Sequence, residues 1–124
     1  MKDISKQEDV KQFVDGFYLR VQADSLLGPV FASRIKDWEP HLNRMYDFWS
    51  SILLGIGAYR GQPFPKHLGL GIGAEHFERW LGLFEENMNS QFQGPRATDA
   101  VQRAKSIAEI FKGKIALMEA NDKG

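Results

Sequence analysis

The chain has 124 residues, which predicts a single domain over 1–124, and at that size folding buries roughly two-thirds of the surface an unfolded chain exposes. Lys and Arg total 16 and so do Asp and Glu, leaving no field of one sign to draw nucleic acid or an anionic membrane surface. Cysteine is absent, which excludes disulfides, thiolate nucleophiles, thiolate-held zinc and iron–sulfur clusters, so a metal has to use histidine, carboxylate or a cofactor.

The polar opening Met1-Lys2-Asp3-Ile4-Ser5 reads as neither a signal peptide nor a transit sequence, and predicts a cytoplasmic protein. Ser5-Lys6-Gln7-Glu8 has the Ser-x-x-Glu form of a capping box ahead of apolar residues at 10, 13, 14, 17 and 21, predicting a helix over about 5 to 23. Gly28-Pro29 reads as a break, followed by a short helical corner at Val30, Phe31 and Ile35. Asp37 is placed to cap a second long helix over about 38 to 55, with Pro40 in its first turn and Leu42, Met45, Trp49, Ile52 and Leu53 at helical spacing.

Residues 55 to 73 hold six of the twelve glycines together with Pro63 and Pro65, which leaves room for one helical turn at most, around Pro65 to Leu68. The pattern resumes at Ala74 with Phe77, Trp80, Leu81, Phe84 and Met88, and ends before Gly94-Pro95. Ala97, Val101, Ala104, Ala108, Phe111, Ile115 and Met118 then mark the seam of a last helix. No apolar run approaches the roughly 20 residues that span a bilayer, so no membrane segment is expected.

Amphipathic helices alone describe an ordinary bundle. The polar groups on their apolar faces add chemistry. Tyr18 continues the buried stripe of the first helix, His41 stands one turn before Met45 on the face that carries Trp38 and Phe48, and Trp80 brings an indole N–H into the third apolar stripe. A buried hydroxyl without a partner costs about 1–3 kcal/mol, so each of these groups needs something to bond. His67, on the turn Phe64-Pro65-Lys66-His67-Leu68 inside the glycine-rich gap, is well placed to present one imidazole to an iron. The separation of 26 positions from His41 to His67 lets a helix run along one side of a flat cofactor while the chain returns along the other.

Phe17-Tyr18, Leu27-Gly28-Pro29-Val30-Phe31, Trp38-Glu39-Pro40-His41, Phe48-Trp49, Tyr59-Arg60-Gly61-Gln62-Pro63, Lys66-His67-Leu68 and Arg79-Trp80-Leu81-Gly82-Leu83-Phe84 together resemble the signature of group III truncated haemoglobins. The resemblance implies an all-α, globin-like fold, a truncated two-over-two helical sandwich, around haem b. It implies that His67 is the proximal ligand of the iron, Tyr18 the tyrosine of the B helix, His41 the distal histidine of the E helix, and Trp80 the tryptophan of the G helix. Phe31, Met45, Phe48 and Trp80 are then expected to border the haem, with Trp49 and Ile52 also in the wall. Arg44 and Lys66 are expected to face its propionates, although a solvated cation is an equal reading of each. His76 begins the Trp80 helix and reads as a helix-surface residue.

The implied ligands are O2, NO and CO. A donor-rich pocket suits chemistry on the ligand, NO dioxygenation or peroxidase-like turnover, which would need an external reductase because the chain offers no flavin or nicotinamide site. Two other readings stay open: a haem-based gas sensor or carrier acting through a protein partner, and a haem-free helical scaffold whose histidines are structural or hold a bare metal ion. Balanced charge and short loops fit a monomer or weak dimer.

Overall fold

Helix α1, Gln7–Ala23, turns one continuous face inward, with Val10, Phe13, Val14, Phe17, Tyr18 and Val21 all buried. The expected box forms one residue later than its sequence signature. The Asp9 carboxylate, not that of Glu8, accepts from the amides of Ser5 and Lys6, at 2.9 and 3.2 Å, and is itself buried against Lys2. The computed structural model describes residues 1–56 and 73–123, with the side chains of residue 115 and of residues 117–123 left aside.

The break expected at Gly28-Pro29 is instead the start of a helix. Helix α2 runs Leu27–Arg34, and its first-turn amides are met by Asp24, whose side chain accepts from Leu26 and Leu27 and whose carbonyl accepts from Gly28. Pro29 has no amide to satisfy and therefore fits a first turn. Helix α3, Trp38–Leu54, begins as expected on an Asp37 side chain that accepts from the Glu39 amide. It closes at Gly55, whose φ of +66° is the left-handed conformation that favours glycine, and Ile56 bonds back to the Ser50 carbonyl. The predicted turn at Pro65 to Leu68 lies outside the described residues.

Helix α4, Ala74–Gln91, and helix α5, Pro95–Lys123, complete the chain; the described residues contain no strand. Helix α1 packs on α3 and on α4, while α5 packs mainly on α4 and also touches α3; α2 sits against α1 and α4. The α5 seam holds Ala97, Ala100, Ala104 and Ala108, all buried, and small side chains let two helix backbones approach closely.

Phe13 meets Trp49 and Phe84 edge-on, at 5.7 and 5.9 Å between ring centres, and Phe17 meets Phe84 in the same manner at 5.3 Å. Each fully buried ring contributes on the order of 1.5–3 kcal/mol by leaving water, and favourable ring pairs add about 0.5–1.5 kcal/mol. Trp49 thus turns toward α1 and α4. Beside it, buried Asn87 donates to the Phe13 carbonyl at 2.8 Å and accepts from Gln91, fastening α4 to α1.

Candidate functional site

Tyr18 lies at the centre of a ring cluster drawn from three helices. Its phenol ring contacts Phe17 at 4.9 Å from its own helix, Phe31 at 6.1 Å from α2, and Trp38 and His41 at 5.7 and 5.0 Å from α3. Helical spacing explains the α3 part, because residues 38, 41 and 45 share a face. His41 and Met45 are buried there and Trp38 is half-buried.

Burial pushes the Tyr18 hydroxyl well above the ordinary phenol pKa, so it stays protonated and able to donate throughout the neutral range. The His41 imidazole stands perpendicular to the Tyr18 ring and to Trp38, with angles of 86° and 88°. Trp80, buried on α4, joins through Phe17, whose ring it meets edge-on at 5.6 Å, and it stacks on Phe84. Three buried groups capable of donating, a phenol, an imidazole and an indole, are therefore set among aromatic side chains.

Among the expected haem-bordering residues, Phe31 and Met45 belong to this buried region, whereas Phe48 is half-buried and packs edge-on against Trp49. Arg44 is exposed on α3. His67 and Lys66 lie outside the described residues. His76 acts locally, its Nδ1 accepting from the Gly73 amide at 3.0 Å, which caps the start of α4.

Trp38 and Asp24 contribute more than sequence reasoning gave them. The signal for Trp38 was its place one turn before His41, and for Asp24 its position three residues ahead of a helix start. Asp24 also pairs with Arg79 of α4 at 3.7 Å.

The sequence pattern of the bacterial-like globin family matches residues 2–112. Group 3 truncated hemoglobin ctb of Campylobacter jejuni is 38% identical over 114 residues, which cover 88% of this chain and 90% of that protein. The chain belongs to the group III truncated haemoglobins. The crystal structure of group III truncated hemoglobin from Campylobacter jejuni matches this globin with a TM-score of 0.82 at 37% identity, over 93% of this chain and 95% of that one. Group 1 truncated hemoglobin GlbN of Nostoc commune is 36% identical over 77 residues, 61% of this chain and 64% of that protein.

The truncated globin fold expected from the sequence is the one observed, and membership makes this a haem protein that binds gas. The side chains fit that cofactor. An aromatic, largely dry surrounding suits a flat macrocycle, and the donors inside it suit a small polar ligand. Among the described residues no group of three or more His, Cys, Asp or Glu could hold a bare metal ion, and no described helix is long and apolar enough to cross a membrane.

Proposed function

We propose that this globin binds O2, NO and CO at haem b held by His67, with Tyr18, His41 and Trp80 facing the ligand. When bound, the haem supplies an iron centre with one open position for a diatomic gas, on which partial negative charge develops. The chain's own groups do the rest. Tyr18 offers a phenolic proton that burial keeps in place, and Trp80 offers an indole N–H; hydrogen bonds from such donors are stronger in a dry site than in water. His41 is the third donor and stands against the Tyr18 ring, so its imidazole and the phenol address one volume.

Phe31, Met45 and Phe48 wall the macrocycle and exclude water, while Arg44 and Lys66 meet the propionates at its edge. The observation that carries this reading is the convergence of Tyr18 and His41, from separate helices, at 5.0 Å among Phe31 and Trp38. With haem bound, the same pocket would combine bound dioxygen with nitric oxide to give nitrate, an external reductase supplying the one electron that returns the iron to the ferrous state. With two electrons from such a donor it would equally serve reduction of peroxide to water.

Rapid mixing of the oxygenated protein with nitric oxide tests the reaction: ferric haem and nitrate in equal amounts are expected, and neither product would remove the dioxygenase activity. The His67→Ala variant tests the axis. It should lose the five-coordinate ferrous spectrum of the parent, and an unchanged spectrum would place the iron ligand elsewhere.

A further inference from the structure

Asp24 touches the beginnings or flanks of every helix that supplies a ring to the Tyr18 and Trp80 region outside α3. It ends α1, bonding its amide to the Val21 carbonyl, six residues beyond Tyr18. One carboxylate oxygen, Oδ2, accepts from Leu26 at 3.1 Å and Leu27 at 3.0 Å, opening the helix that carries Phe31. The other, Oδ1, lies 3.7 Å from the Arg79 guanidinium, on the residue immediately before Trp80. The Asp24 side chain is only 9% exposed and that of Arg79 is 52% exposed, so the carboxylate is the fixed member and the guanidinium the one that is drawn to it.

An eight-residue helix is too short to hold itself, and among the described residues the backbone of α2 lies against α1 and α4 while its Phe31 ring stacks on Trp38 of α3, so the way its first turn is fastened helps decide where Phe31 sits. We infer that Asp24 is a positioning residue of the ligand pocket, its single carboxylate setting α2 and the Trp80 turn of α4 in place against α1. This inference rests on the reading of Tyr18, Phe31 and Trp80 as pocket residues.

The two functions of the carboxylate can be separated. Asp24→Asn keeps an oxygen for the Leu26 and Leu27 amides but discards the charge, and Arg79→Gln discards the cation while leaving the cap intact. Both variants should alter the infrared C–O stretch of the ferrous carbonyl adduct and speed oxygen dissociation by about three-fold, the scale of coupling through a neighbouring residue. Arg79→Lys should restore both readouts. Raising the salt concentration should move the parent toward the variants and leave the variants unmoved, because a partly exposed ion pair is screened. In a Trp80→Leu background neither variant should add anything.

If Trp80→Leu changes the stretch and the dissociation rate while Asp24→Asn and Arg79→Gln change neither, Asp24 does not position the pocket. An Asp24→Asn effect that persists undiminished without Trp80 also overturns the inference. If instead Trp80→Leu itself changes neither readout, the assignment of the pocket fails, and that result is separate from the first two.

Discussion

The Tyr18 ring and the His41 imidazole meet at 5.0 Å between centres with their planes 86° apart, a contact that joins α1 to α3. Neither residue is near the other in sequence, and each is buried on the apolar face of its own helix. Tyr18→Phe keeps the ring and this packing and removes only the hydroxyl. Oxygen dissociation should rise by roughly ten-fold or more, as expected from loss of one hydrogen bond in a dry site, with little change in thermal stability. Stopped-flow displacement of oxygen by carbon monoxide measures it, and a rate equal to the parent's takes Tyr18 out of ligand binding.

A second prediction concerns the close approach of α1 and α4. A methyl group on Gly16 would come within 2.5 Å of Gln91 Nε2 and 2.6 Å of Asn87 Oδ1. Asn87 cannot easily yield, since it is buried and bonded to the Phe13 carbonyl. Gly16→Ala should therefore cost about 1–3 kcal/mol of stability in urea unfolding, although alanine is the better helix former.

Acid should expose the role of Asp9. Burial works to raise its pKa, but the Ser5 amide, the Lys2 ammonium, the Ser5 hydroxyl and the Lys6 amide together hold it down to about 2. A carboxylate depressed in the folded state contributes stability above its unfolded pKa, near 3.8, and loses that contribution as pH falls toward 2. The Lys2 side chain is more than half exposed, so screening reduces the gain, and about 1–2 kcal/mol is expected at neutral pH. Denaturation of the parent and Asp9→Asn across that window should show their stabilities converging as the solution is acidified.

Removal of the carboxylate at residue 3 should loosen α5. Asp3 accepts from the Arg96 and Ala97 amides, both at 3.0 Å, and so satisfies the first turn of a helix at the other end of the chain. Asp3→Ala is expected to cost about 1 kcal/mol, as for loss of an N-cap, and to speed hydrogen exchange at those two amides. Exchange at the parent rate would assign the cap to another group.

The helical periodicity of α1, α3 and α4 was plain in the sequence because each faces the core along one stripe, and the ends set by Asp37 and Gly55 were legible because capping is local. Gly28-Pro29 misled because a proline that breaks a helix interior suits a first turn, and only the position of Asp24 shows which applies. Trp49 packs on Phe13 and Phe84, contacts that its place in an apolar stripe did not reveal, because a stripe does not tell which neighbour a given ring will meet. Tyr18, His41 and Trp80 could be nominated from sequence as polar groups on buried faces. Their distances from one another could not, because these depend on how α1, α3 and α4 pack.

The reach of Asp3 to Arg96 and Ala97 gives this globin a particular order of assembly. During synthesis Asp3 emerges more than ninety residues ahead of its partners. A nascent chain still lacking α5 holds that carboxylate in water, and pairing across so long a separation is among the slow events of folding. Closure of the N-terminal segment on α5 therefore has to wait until residues 96 and 97 have been synthesised.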